Sequence, residues 1–87
     1  MISRTNERFW KCYNALPEDV KKEARRAYRQ FKINPYHPGL RFKRVHSTRA
    51  IFSVRITKDY RAVGIQQDKY IIWYWIGSHS DYDSLLK

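Results

Sequence analysis

Hydrophobic and polar positions divide the chain at Asn34-Pro35-Tyr36-His37-Pro38-Gly39. Before this segment apolar residues recur at helical spacing, and after it they alternate. Phe9, Tyr13 and Leu16 fall at i, i+4 and i+7 with Cys12 beside them, which predicts a short helix over residues 6–15. Pro17-Glu18-Asp19 predicts a second helix start, because proline suits a first helical turn and acids suit the positive end of the helix dipole. That helix runs to about Lys32, with Val20, Ala24, Ala27 and Phe31 on a narrow apolar arc. Lys21, Lys22, Arg25, Arg26, Arg29 and Lys32 form the opposite, basic face. Almost no loop separates the two helices, so an antiparallel hairpin is expected.

The second half predicts strands over residues 40–45, 50–56, 60–66 and 70–76. In the second of these Phe52, Val54 and Ile56 share one face, and Ser53 and Arg55 the other. Gln67-Asp68-Lys69 reads as a hairpin loop, and the last strand is apolar on both faces, as a central or covered strand would be. Residues 77–87 form a polar, then weakly apolar tail. The expected fold is α+β: an N-terminal helical hairpin packed on a small antiparallel β-sheet, residues 1–87 forming a single domain.

Composition narrows the function classes. Fourteen aromatic rings among 87 residues supply enough apolar area for a core, which excludes a disordered chain. Cys12 has no partner cysteine, so a disulfide scaffold is excluded and a reducing cytosolic setting is expected. The longest apolar stretch, Tyr70 to Ile76, falls far short of the ~20 residues of a spanning helix. The first residues lack the apolar run of a signal peptide. The net charge of +10 is concentrated: residues 21–61 carry +11 and the rest −1. A polyanionic partner is the natural expectation, nucleic acid or a strongly acidic protein, rather than a membrane.

Three groups of residues could carry chemistry. Arg55 and Arg61 lie on neighbouring strands across the turn Thr57-Lys58-Asp59. Paired guanidiniums can grip a phosphate; equally, each could be a solvated outward residue. His79 follows directly on the last strand, with Tyr82 three residues on. Imidazole exchanges protons near neutral pH and a phenol can orient or stack on a substrate; the alternative is a polar turn with His79 capping the backbone. Arg41, Lys43, Arg44, Arg49 and Lys58, interleaved with Phe42 and His46, form a basic patch. It suits phosphate contacts and base stacking, or a merely charged surface. His37 reads as a hydrogen-bonding turn residue. Three histidines and one cysteine show no metal-ligand spacing, and Gly39, Gly64 and Gly77 are too isolated for a phosphate loop, so no metal or cofactor is expected. Ser78, His79 and Asp81 carry the letters of a hydrolase triad but crowd one turn.

From Phe9 to Leu86 the chain resembles the RelE/ParE superfamily of type II toxins. The resemblance rests on Arg55 with Tyr60-Arg61, on Ile76-Gly77-x-His79-x-x-Tyr82-Asp83, and on Pro35-x-His37-Pro38-x-Leu40-x-Phe42-Lys43. A typical member begins with a full strand, of which residues 1–5 supply only a stub. The resemblance implies a toxin that cuts messenger RNA, often on the ribosome, through attack of the ribose 2′-OH on the adjacent phosphate. It also implies a cognate antitoxin, expected to be acidic. Arg61 and Arg55 match the family's strand arginines, Arg61 the one that grips the scissile phosphate. His79 falls where the family has a catalytic arginine or histidine, and Tyr82 near its C-terminal tyrosine. Arg41, Lys43, Arg44, Arg49 and Lys58 are then the RNA-positioning set. Two alternatives stand beside this reading: a ParE-like inhibitor of DNA gyrase without ribonuclease activity, and a non-catalytic basic RNA-binding module.

Overall fold

The computed structural model describes residues 1–86. The elements are β1 (Ile2–Thr5), α1 (Glu7–Asn14), α2 (Glu18–Ile33), a 3-10 turn at Pro38–Leu40, β2 (Lys43–Arg44), β3 (Ile51–Thr57), β4 (Tyr60–Gln67), β5 (Tyr70–Ser78) and α3 (His79–Leu85). Among the described residues the fold is α+β, with three helices and one five-stranded sheet in the order β1-β5-β4-β3-β2.

Local chemistry sets the helix ends. The Asn6 side chain accepts from the Phe9 amide at 3.0 Å and starts α1. Glu18 and Asp19 occupy the first turn of α2, where the dipole favours anions. At the 3-10 turn His37 Nδ1 accepts from the Gly39 amide at 3.2 Å, the turn role expected of it. Arg41 then enters the left-handed region at φ 46°. This redirects the chain and cuts the strand expected over 40–45 to Lys43–Arg44.

Both first helices lie on one sheet face. Leu16, Val20, Ala24 and Phe31 pack with Val54, Ile56, Ala62, Ile71, Trp73 and Ile76. α1 rests on β5 and α2 on β3. A side-chain link also joins the helices: Arg25 donates to the Tyr13 hydroxyl at 2.7 Å. Phe42 belongs to this core, 5.1 Å from Phe31 and 4.9 Å from Phe52 between ring centroids. It is therefore not free to stack on a base, contrary to its place in the expected basic patch.

Two further expectations need correction. The sheet is mixed rather than purely antiparallel. The stub at residues 2–5 is a strand, parallel to β5 from Ile2 opposite Tyr70 to Thr5 opposite Trp73. Trp73 Nε1 donates to Ser3 Oγ at 2.9 Å across this pairing. The polar tail is a helix, α3, begun by Ser78, whose hydroxyl accepts from the Asp81 amide at 3.1 Å. α3 covers part of the other sheet face, where Tyr82 packs with Ile51, Val63 and Trp75, flanked by Leu85 and Leu86.

A bulge in β5 allows cores on both faces. Trp73 pairs with Gly64 and Trp75 with Val63, so Tyr74 has no partner on β4. The extra residue flips the alternation. Trp73 therefore enters the core under α1 and α2, and Trp75 the core under α3. Gly64 makes room: a Cβ there would stand 2.8 Å from Trp73 Cε3 and 3.0 Å from the Ile72 carbonyl. Among the described residues no helix is long and apolar enough to cross a membrane.

Candidate active site on the α3 face of the sheet

The register of β3, β4 and β5 places Arg55 directly opposite Arg61, and Arg61 opposite Gly77. This row lies next to the row Lys43, Ser53, Val63 and Trp75, on the sheet face that carries α3. Gly77 has no side chain to fill its place, and the Trp75 ring lies against it, 2.7 Å from where a Cβ would be. Both arginines are half-buried.

Arg61 is held in position. Its Nη1 donates to the carbonyls of Thr57 at 2.6 Å and Tyr60 at 2.9 Å. Burial lowers the pKa of this guanidinium; Arg55 and, more weakly, Arg41 lower it further, while Tyr82 and Asp59 act the other way. An arginine keeps its charge at neutral pH regardless. Like charges directly opposite on a sheet are unfavourable, so an anion bridging Arg55 and Arg61 would relieve their repulsion.

α3 is fastened to the same end. The His79 amide donates to the Asp59 carbonyl at 2.7 Å, joining the first residue of α3 to the β3–β4 turn. The His79 ring is about half exposed, 3.6 Å through Nδ1 from Asp83 Oδ2, and 5.6 Å from the Tyr82 ring between centroids. Tyr82 is buried, and its hydroxyl donates to Ser53 Oγ at 3.2 Å. Its phenol is engaged within the sheet, whereas the His79 ring stands at the surface.

The basic patch divides. Arg41, Lys43 and Lys58 are exposed; Lys43 shares the row of Ser53, and Arg41 is felt electrostatically at Arg61. Arg44 is absorbed by structure, its Nε donating to the carbonyls of His46 at 3.1 Å and Arg49 at 3.2 Å. His46 is a turn residue, its Nδ1 accepting from the amides of Thr48 and Arg49. Arg49 lines a different groove, with Arg8, near the C-terminal end of α3. Ser53, Asp59 and Asp83 carried no site role in the sequence reading, and the structure brings each into contact with Tyr82 or His79. A signal for Asp83 was present: once Ser78 and Asp81 are read as a helix start, His79 and Asp83 fall one turn apart. Among the described residues no cluster of His, Cys, Asp or Glu could hold a metal ion.

Residues 18–84 match the family described as ParE-like toxin domain. No curated protein sequence matches the chain. Among solved structures, YafQ from E. coli strain BL21(DE3) superposes with a TM-score of 0.74 at 12% identity, over 92% of this chain and 94% of its own. A chain of the RelB-RelE antitoxin-toxin complex from Methanococcus jannaschii gives a TM-score of 0.73 at 13% identity, over 97% and 99%. The YoeB/ParE toxin from Agrobacterium tumefaciens gives 0.68 at 15% identity, over 91% and 99%. At these identities the structural likeness establishes a shared fold.

Proposed function

The chain belongs to the ParE-like toxin domain family, within the RelE/ParE superfamily, and on that footing we propose that it is the toxin of a type II toxin–antitoxin pair that cuts messenger RNA. The observation that carries this reading is Arg55 opposite Arg61, with His79 fixed at the same end of the sheet.

In the proposed reaction the scissile phosphate sits between the two guanidiniums. The 2′-oxygen of the preceding ribose attacks phosphorus and loses its proton. The bond from phosphorus to the 5′-oxygen breaks, and that oxygen gains a proton. Products are a 2′,3′-cyclic phosphate and a 5′-hydroxyl. Arg55 and Arg61 neutralise the charge that builds on the phosphoryl oxygens. His79 serves proton transfer at one of the two reacting oxygens. Tyr82 acts at one remove, holding α3, and so His79, against β3 through Ser53. Arg41, Lys43 and Lys58 position the RNA backbone.

The partner in this reading is an acidic antitoxin. A groove between α1 and α2, lined by Phe9, Trp10, Tyr13 and Tyr28 with Arg25 and Arg29, joins apolar rings to positive charge, the chemistry that an acidic amphipathic helix would meet.

Induced expression of the wild type is expected to stop growth and leave transcripts with cyclic-phosphate ends. Arg61→Ala and His79→Ala are expected to relieve both effects. Full toxicity in both variants would overturn this site. A second reading, a gyrase poison, draws on the engagement of the Tyr82 hydroxyl with Ser53, which leaves one proton-transferring side chain beside the arginines. It predicts gyrase-dependent DNA damage with messenger RNA intact.

A further inference from the structure

The α3 face of the sheet carries a second basic groove, at the end remote from Arg55 and Arg61. It has a volume of about 700 Å³, and Asn6, Arg8, Arg49, Gln67 and Tyr74 line it, with Leu85 and Leu86 of α3 forming a wall. That volume is within the range that holds a small organic ligand. The Arg8 guanidinium lies over the Tyr74 ring, 5.7 Å from its centroid. Burial pushes the Tyr74 hydroxyl above the ordinary tyrosine range, while Arg8 and Arg49 pull it down, so both positive charges bear on that hydroxyl.

Arg49 sits on a built loop. Arg44 clamps the carbonyls of His46 and Arg49, and His46 Nδ1 accepts the amides of Thr48 and Arg49. Among the described residues neither Arg8 nor Arg49 has a carboxylate within salt-bridge distance. Among the described residues the groove thus holds two guanidiniums with no carboxylate partner, an aromatic ring and two side-chain amides. Phosphate attraction, stacking and polar contacts to bases use these same groups. Ile51 borders the groove four positions before Arg55 on β3, a separation of about 14 Å, which a few nucleotides of single strand cover.

We propose that Arg8, Arg49 and Tyr74 form a second RNA-binding subsite, which holds the backbone of a single strand whose scissile phosphate lies at Arg55 and Arg61. This rests on the ribonuclease reading above. Arg44 is a positioning residue for Arg49.

The test uses single-stranded 2′-O-methyl oligonucleotides, which lack the attacking hydroxyl, of three and twelve nucleotides. Affinity is measured across salt concentrations for the wild type, Arg8→Ala/Arg49→Ala, Arg8→Lys/Arg49→Lys and Arg55→Ala/Arg61→Ala. The first alanine pair is expected to weaken the twelve-mer about tenfold and to reduce its salt slope by about 1.4, two phosphate contacts on a single strand. The advantage of the twelve-mer over the three-mer is expected to narrow, and the lysine pair is expected to keep most of the slope. Unchanged twelve-mer binding by Arg8→Ala/Arg49→Ala, with binding lost in Arg55→Ala/Arg61→Ala, would overturn the second subsite and leave the ribonuclease reading standing. The reverse pattern would sink the arginine row and keep the subsite. Polyglutamate is measured alongside as an acidic-peptide probe, and loss of its binding in Arg8→Ala/Arg49→Ala with RNA binding intact would overturn the subsite in favour of an acidic protein partner.

Discussion

The Tyr82 hydroxyl of α3 donates to Ser53 Oγ of β3 at 3.2 Å, and both residues are buried. Tyr82→Phe leaves the Ser53 hydroxyl without its donor, an expected loss of about 1–3 kcal/mol by chemical denaturation. Ser53→Ala in the same background recovers part of it, because both polar partners are then gone. Cleavage per folded molecule is expected to stay within a few-fold of wild type. A hundredfold drop would make Tyr82 a catalytic residue instead.

Arg61 places Nη1 on two carbonyls while facing Arg55, so that other N–H groups of the guanidinium remain to meet a phosphate, a division of roles that the single nitrogen of a lysine cannot reproduce. Arg61→Lys is therefore expected to cut RNA at least tenfold more slowly despite keeping its charge. Single-turnover cleavage of a defined RNA measures this, and wild-type rates in the lysine variant would show that charge alone suffices.

His79→Ala is expected to reduce the same rate by roughly a hundredfold or more, the usual share of a general acid or base. Asp83→Asn, which removes the charge 3.6 Å from His79 Nδ1, is expected to slow the same rate by less than His79→Ala does. A His79→Ala rate within threefold of wild type would exclude proton transfer by this ring.

Trp73 lies so close over Gly64 that one methyl group is too many. Gly64→Ala is expected to destabilise the fold by about 1–3 kcal/mol, because the obstacles include the Ile72 backbone and a buried indole. Urea denaturation checks this, and a neutral effect would mean that β4 and β5 can part locally.

Burial raises the Tyr74 pKa, so folding favours its neutral phenol. The stability this contributes is complete below the unfolded tyrosine value near pH 10 and fades as pH rises through the higher folded value. Tyr74→Phe is expected to flatten the alkaline limb of the stability profile. Melting curves between pH 8 and 11 for both proteins test it, and parallel limbs would contradict it.

Much of this arrangement was legible in the chain. The arc Val20, Ala24, Ala27, Phe31 marks the buried side of α2, and alternation in residues 50–56 and 60–66 marks β3 and β4 to within a residue. Arg55 and Arg61 follow from the turn between those strands. What escaped depends on non-local pairing or on single backbone angles. Trp73 and Trp75 share parity, and only a bulge set by the β4 register separates them. Residues 2–5 become a strand only because β5 offers an edge. Arg41 adopts a left-handed angle that no pattern of polarity announces, and it turns Phe42 inward. Tyr82 was legible as a phenol beside His79, but its burial depends on a helix that a polar tail did not advertise.

The pairing of β1 with β5 joins positions nearly seventy residues apart, Ser3 with Ile71 among them. During synthesis, β1 leaves the ribosome before both helices and three strands exist, and its one neighbour in the sheet is made long afterwards. Until then β5's counterpart edge has nothing to close it, and once β5 emerges its free edge is open to other chains. Assembly of this small protein is thus tied to a late, long-range event, the kind that slows folding. Shortening the chain at its first five residues would leave the helices intact and still deny the sheet its seal.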